Sequence, residues 1–382
     1  MRSGQFIIQP GGYKAFVPNP LPPDPPISID LEMLKLLSEA NRAIGRLEGS
    51  TENLPNPDLF VAMYVKKEAV LSSQIEGTQA SLTDVLEFES KDLSHAIPED
   101  IGEVVSYVEA INYGLKRLNT FPLSLRLIKE IHAVLMINSR GQNRTPGEFR
   151  RSQNWIGAAG STLKTADFIP PPVPEALDAM SQLEKYIHEG EEPLLIKCGL
   201  VHAQFETIHP FVDGNGRTGR TLIHKSLKDD GVLHTIALPI SAGLLNNLDS
   251  YLNSLKAYQE GNPLPIIEQV FKAIELSLAI GENVSAKISS IIQNWENIIN
   301  ERKTSTIWKL IYLLIEQPVI NTNLIKEKLH LTLRGANKLI DRAIGYGILT
   351  KFGNQKKGMF YQSSEIIAVL DDITQIKKLY RI

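Results

Sequence analysis

A single cysteine, Cys198, stands in 382 residues. That scarcity excludes an internal disulfide framework and a zinc site built from several cysteines. It fits a reducing compartment. No stretch approaches the ~18 consecutive apolar residues of a membrane span. The start, MRSGQFIIQPGGYKAF, lacks the apolar run of a signal peptide. The reading is therefore cytoplasmic, with no membrane association. Charge of one sign is also missing. Lys and Arg number 40 against 43 Asp and Glu, a net charge of −3, so there is no global nucleic-acid signature. No internal repeat is visible. A content of 43% hydrophobic and 22% charged residues is ordinary for a soluble globular chain. The length exceeds one ordinary core and implies two or three domains.

Helical signals dominate. The proline-dense start, including PNPLPPDPP, reads as an extended arm over residues 1–26. Ser28 or Asp30 can cap a helix over Leu31–Leu47. A second helix should open at Asn56–Asp58, with Asn56 as cap and Pro57 in its first position, and Gly77 can end it. Further helices are expected over Asp100–Leu118, Ser124–Asn138, from Pro193 to Ile208, and over Gly216–Lys228 with Gly231 as a stop. Two or three more should reach Asn300. Between them, Gly147–Pro174 is rich in Gly, Ser, Thr and Pro and reads as a loop with a short hairpin. Residues 304–382 read as a separate unit. Helices over Thr304–Glu316, Asn321–Leu329 and Thr332–Gly345 precede two strand-like runs around a basic tip, the pattern of a winged helix-turn-helix. Arg334, Lys338 and Arg342 recur on its third helix, and Lys356 and Lys357 sit at the tip. Such residues suit phosphate contacts to DNA; a face for proteins or for the chain's own core is the equal alternative.

The densest chemistry lies in His209-Pro-Phe-Val-Asp-Gly-Asn-Gly-Arg217-Thr-Gly-Arg220. Gly214 and Gly216 bracket Asn215 just ahead of a helix, where backbone N–H groups and the dipole make an anion site. Arg217 and Arg220, three apart, share a helix face and can clamp phosphates. Asp213 is a hard oxygen ligand suited to Mg²⁺. His209 can accept a proton near neutral pH. A base, a metal ligand, an anion nest and two arginines suit phosphoryl or nucleotidyl transfer to a hydroxyl. The bland alternative is a Gly/Asn turn with a capping Asp and two surface arginines.

The same segment fits HPFx[D/E]GNGRxxR at every fixed position, a coincidence of roughly one in 10¹¹ per site at ~5% per residue type. The chain thereby resembles the Fic family. The resemblance implies an all-α fold with a Fic-type helical core and a small β-hairpin flap, here followed by the winged helix-turn-helix. It implies an N-terminal region over 1–95, a core over 96–300 with the flap at 157–174, and a last domain over 304–382. It implies transfer of AMP from ATP to a Ser, Thr or Tyr hydroxyl of a protein, the chain itself included. His209 would be the base and Asp213 would hold Mg²⁺. Asn215 and the amides from Gly214 through Gly216, Thr218 and Gly219 would surround phosphates. Arg217 and Arg220 would bind the β/γ region. Phe211 would anchor in the core and Pro210 would shape the turn. Ser241–Tyr251 resembles the helix that meets adenine, with Asn247 or Asn246 as the contact. Gly243 stands there where an aromatic is usual.

Upstream, Ser72-Ser-Gln-Ile-Glu76-Gly77 resembles the inhibitory pattern [S/T]xxxE[G/N] of the same family, on a helix at 57–77. A carboxylate near a helix C-terminus opposes the dipole and asks for another reason. The resemblance implies that Glu76 pairs with Arg220 and occupies the space of the γ-phosphate. The rival readings are removal of AMP from a modified protein, with Glu76 positioning water, and a DNA-binding regulator that only senses nucleotide. His202, His224, His234 and Cys198 read as structural, and Lys164 in the flap as a surface lysine. Oligomerisation is left open.

Overall fold

A computed structural model describes residues 3–51, 57–90, 97–139, 144–158, 160–229, 239–352 and 359–372. The expected cap Asn56, the stop Gly231, His234 and the basic tip with Lys356 and Lys357 lie outside the described residues.

The expected extended arm begins instead as a hairpin. Strand β1 (Gly4–Ile8) pairs antiparallel with β2 (Lys14–Pro18), with Phe6 opposite Phe16. Two short apolar runs around Pro10-Gly-Gly carried that signal. Ala15 and Phe16 are fully buried, and Phe16 N donates to Ile169 O at 2.9 Å.

Several helices start where a side chain accepts an orphan N–H. Helix α1 (Leu31–Thr51) is capped by Asp30, whose Oδ1 accepts from Met33 N at 2.8 Å. Helix α2 (Pro57–Ile75) has proline first, and Gly77 follows at φ +93°. Helix α3 (Leu82–Glu89) carries a Ser81–Asp84 capping box. After α4 (Glu99–Arg117), Ser124 caps α5 (Leu125–Leu135). The loop that follows holds one antiparallel bridge, Ile156 to Phe168, a hairpin of minimal length. Then come α6 (Val173–Glu189), α7 (Leu194–Ile208), α8 (Asn215–Asp229), α9 (Ile240–Asn246), α10 (Leu248–Gln259) and α11 (Leu264–Ile298).

Helix α7 is buried almost throughout and packs on α8, α6 and α11. Helix α11 is the long spine that meets α1, α9 and α10. Glycine at 243 has a physical reason here. A Cβ there would lie 2.3 Å from Ala273 Cα, so an aromatic two residues after Ser241 cannot fit between α9 and α11.

The C-terminal unit consists of α12 (Thr306–Glu316), β3 (Val319–Asn321), α13 (Thr322–Lys328), α14 (Leu333–Gly345), β4 (Thr350–Phe352), β5 (Phe360–Gln362) and α15 (Ser364–Asp372). Its sheet has the order β3-β5-β4, all antiparallel. Two of these elements, β3 and α15, are additional to the sequence reading. Asn321 ends β3 and caps α13 through Leu324 N at 2.8 Å. The buried apolar cluster runs from Met33 to Leu370, so this unit packs on the rest of the chain.

Two glycines test this packing in opposite directions. Gly243→Ala should destabilise by about 1–3 kcal/mol through overpacking. Gly45→Ala, on an exposed turn of α1 with nothing within 4 Å of a Cβ, should not destabilise. It should stabilise by about 0.5–1 kcal/mol. Urea unfolding of both variants measures the difference.

Candidate active site

His209 is the residue on which α7 ends. It adopts φ 49°, ψ 60°, a left-handed conformation unusual for a residue with a side chain. The surroundings hold it there. Its carbonyl accepts from Arg150 Nε at 3.0 Å and from Asn154 Nδ2 at 3.1 Å, and Pro210 O accepts from Arg150 N at 2.8 Å. Arg150 is buried and also donates to the carbonyls of Ser152 and Pro171, so one guanidinium ties the base of the hairpin loop to the His209 turn. The His209 ring places Nδ1 3.4 Å from Glu206 O. A carbonyl only accepts, so Nδ1 carries the hydrogen and Nε2 keeps a free lone pair. Burial pushes the His209 pKa down to about 4, and Arg150 adds to the shift. The imidazole is therefore neutral near pH 7.

The turn from Phe211 to Gly216 is built from within. Phe211 is fully buried and stacks on His132, ring centroids 3.7 Å apart and planes 4° apart. His132 Nδ1 accepts from Gly147 N at 2.9 Å, which makes Nε2 the donor to Asp213 O, also at 2.9 Å. Both polar atoms of the Asn215 side chain bind the Phe211 backbone, at 2.8 and 2.9 Å. Asn215 thus closes the turn and frames the anion nest rather than reaching into it. Gly214 takes φ +75°, and its N–H donates to Asp213 Oδ1 at 2.7 Å. Asp213 Oδ2 has Arg144 at 3.7 Å, and the side chain is a third exposed.

The two arginines diverge. Arg217 faces α4, with Nη1 3.4 Å from Glu103 Oε2, and both side chains are buried. Arg220 faces the end of α2. Its Nε donates to Ser72 Oγ at 2.7 Å, and its Nη2 donates to Ser72 O at 3.0 Å and Glu76 Oε1 at 2.7 Å. A spacing of three puts both on adjacent positions, yet their long side chains part into different partners. Glu76 Oε1 would stand 2.1 Å from a Cβ at Gly216, so only glycine lets the carboxylate settle over the first turn of α8. The dipole puzzle is thereby resolved. Glu76 is unfavourable for the C-terminus of its own helix and favourable for the N-terminus of α8. Partial desolvation would raise the Glu76 pKa, but the charge and hydrogen bond of Arg220, with the charge of Arg217, outweigh it and hold the carboxyl below its ordinary value.

The other expected residues fall as follows. Thr218 is buried in α8, and its N–H donates to Gly214 O at 3.1 Å. Gly219 makes room for Glu206, whose Oε1 would lie 2.3 Å from a Cβ there. Burial pushes the Glu206 pKa up to about 7. Asn246 and Asn247 are exposed, and Asn247 Oδ1 caps α10 through Ser250 N at 3.1 Å. Tyr251 is buried, its hydroxyl 2.9 Å from His202 Nε2. Cys198 and His224 are buried, and Lys164 is exposed in the hairpin loop. On α14, Arg334 and Lys338 are exposed, while Arg342 pairs with Glu301 at 2.7 Å. Sequence reading passed over Arg150, Asn154, His132, Glu103 and Glu206.

A neutral imidazole, a partly exposed carboxylate, a helix N-terminus and a buried guanidinium converge at the start of α8. The set favours an anion with several phosphates beside a hydroxyl that must lose a proton.

Comparison with known proteins agrees. Residues 34–116 match the Fic/DOC family N-terminal model and residues 122–227 the Fic/DOC family model. A probable protein adenylyltransferase of Aquifex aeolicus is 25% identical over 211 residues, 53% of this chain and 57% of that protein. Protein adenylyltransferase Fic of Drosophila melanogaster is 29% identical over 154 residues, 38% of this chain and 28% of that one. The chain therefore spans little more than half of the first relative and under a third of the second. The crystal structure of a Fic family protein from Desulfovibrio desulfuricans superimposes with a TM-score of 0.57 at 18% identity, covering 89% of this chain and 98% of that one.

Two buried histidines and the half-buried His209 set a pH dependence. His132, His202 and His209 are each lowered to about 4, chiefly by burial. An unfolded histidine takes a proton near pH 6.5. Between these values the unfolded chain binds more protons, so stability should fall as pH drops from about 6.5 towards 4. Proton NMR should find the three imidazoles neutral near pH 6 and taking up protons only as pH approaches about 4, and ordinary titration near 6.5 would contradict the burial described.

Proposed function

The chain belongs to the Fic/DOC family, and from that premise we propose that it transfers AMP from ATP to a Ser, Thr or Tyr hydroxyl of a protein, with Mg²⁺, and that Glu76 holds the reaction down. The observation that carries this reading is the contact between the buried cation Arg220 and Glu76 over the first turn of α8. A carboxylate stands where a terminal phosphate would find its partner.

The roles follow from the residues. His209 Nε2 takes the proton of the target hydroxyl. The hydroxyl oxygen then bonds to the α-phosphorus, the bond from that phosphorus to the bridging oxygen breaks, and pyrophosphate leaves. The N–H groups at the start of α8 ahead of Thr218, whose own N–H is held by Gly214 O, receive phosphate oxygens. The donor set fits Mg²⁺, which takes one or two carboxylates together with phosphate oxygens and water. Asp213 supplies one such carboxylate, its side chain a third exposed and its Oδ2 3.7 Å from Arg144. Bound there, Mg²⁺ would neutralise phosphate charge. Arg220 receives the γ-phosphate once Glu76 withdraws. The loop around Ile156 and Phe168 lies beside the His209 turn through Arg150 and Asn154, which supports a place for the target segment.

The restraint required is modest. A hundredfold suppression corresponds to about 2.7 kcal/mol. Arg220 is buried but the Glu76 side chain is 40% exposed, so solvent screens the pair. Its worth falls between an exposed pair, about 0–1 kcal/mol, and rupture of a buried one, about 3–5 kcal/mol.

The test is incorporation of label from α-labelled ATP with Mg²⁺ and cell extract as target. Glu76→Gly should raise incorporation by about 10- to 100-fold, the range those energies allow. Glu76→Gly/His209→Ala should abolish it. Equal incorporation in wild type and Glu76→Gly would remove the brake, and label surviving in the double variant would remove His209 as the base.

A further inference from the structure

Positions 66–68 of α2 are Lys-Lys-Glu, and all three side chains are buried. Buried charges need partners. Here the partners lie on two sides of the helix. Glu68 faces the catalytic side, where it accepts from Ser241 N at 2.9 Å and Ser241 Oγ at 2.6 Å. Lys66 and Lys67 face the C-terminal unit. Lys66 donates to Gln317 Oε1 at 2.9 Å and pairs with Glu89 of α3 at 2.6 Å, while Lys67 donates to Leu370 O of α15 at 3.2 Å.

Gln317 is the centre of this junction. Its amide donates to Leu86 O at 2.8 Å, Ser90 Oγ at 3.0 Å and Val319 O at 3.1 Å. Asn321 Nδ2 donates to Ser90 O alongside. The C-terminal unit therefore grips both α2 and α3 by polar bonds, and α12 packs directly on α2. Lysines that regain water on separation make such a junction easier to open than an apolar one of the same size.

Ser72 follows on the same helix and Glu76 directly after its last residue Ile75, about 15 Å beyond Lys66 at helical rise. The end of α2 is shaped by Glu76 N donating to Ser73 O at 3.0 Å and Thr78 N donating to Ser73 O at 3.1 Å. A rigid helix held at 66–67 fixes where its last turn sits against Arg220. We propose that residues 306–372 are a latch on α2. Docked, they seat Ser72 and Glu76 on Arg220; drawn away, they let that last turn withdraw and Arg220 become free for nucleotide.

The proposal rests on the reading of Glu76 as a brake, so its test has two readouts. Gln317→Leu and Lys66→Met, each in the full chain, loosen the junction without touching the site around His209. Hydrogen exchange at the amides of residues 76–78 reports the end of α2 directly. Label transfer is compared in wild-type and Glu76→Gly backgrounds, with cooperative thermal melting to show that each variant folds. The latch predicts faster exchange at 76–78 in both variants. It also predicts transfer raised severalfold in the wild-type background and unchanged in Glu76→Gly. Exchange at 76–78 equal to wild type in folded variants overturns the latch. So does transfer altered by the same factor in both backgrounds. If Glu76→Gly itself gives no increase, the brake reading fails, and the latch stands or falls on exchange alone.

Discussion

Arg220 is a guanidinium without access to water, and three of its hydrogen bonds go to a helix from the far side of the sequence. A buried cation must be compensated where it stands. Ser72 and Glu76 do this, and the consequence reaches well beyond the pair. Gly216 leaves the space in which the carboxylate rests on α8. Helix α2 is required to end there, and its own buried charges are required to find partners in α9 on one side and in the C-terminal unit on the other. The candidate site and the Ser72–Glu76 contact on Arg220 are thus one construction.

The His209 turn shows the same economy of long-range support. A left-handed histidine is strained, and two donors from the loop at 150–154 meet its carbonyl. His132 from α5 stacks beneath Phe211 and binds Asp213 O. Asn215 returns both its polar atoms to Phe211. The result is a rigid frame in which His209 Nε2, the Asp213 carboxylate and the α8 N-terminus keep fixed relations before any ligand arrives. Such preorganisation matters most where charge develops during reaction.

Local chemistry was legible from sequence, and long-range partnership was not. Asp30 and Ser124 announced their helices because capping is decided within four residues. The HPF–GNGR segment was legible as a candidate anion site because its parts are contiguous. Arg150 and His132 were silent. An arginine among Gly, Pro and Ser reads as surface, and a histidine on the apolar face of a helix reads as core. Their roles depend on residues 59 and 81 positions away. Glu76 was readable only through its pattern; its physical reason, the facing N-terminus of α8, appears when the two helices meet. The hairpin at the start, β3 and α15 were short elements whose stability comes from the surfaces they cover.

The most direct measurement is calorimetric binding of ATP and of ADP, with Mg²⁺, to wild type and Glu76→Gly. The two nucleotides differ only in the γ-phosphate, so the ratio of their affinities isolates what Arg220 contributes. With Glu76 in place the ratio should be near one. With Glu76 removed, ATP should gain about 10- to 100-fold over ADP, the worth of a charge-assisted contact. The same ratio in both proteins would mean that Glu76 and the γ-phosphate do not compete for Arg220, and would contradict the account.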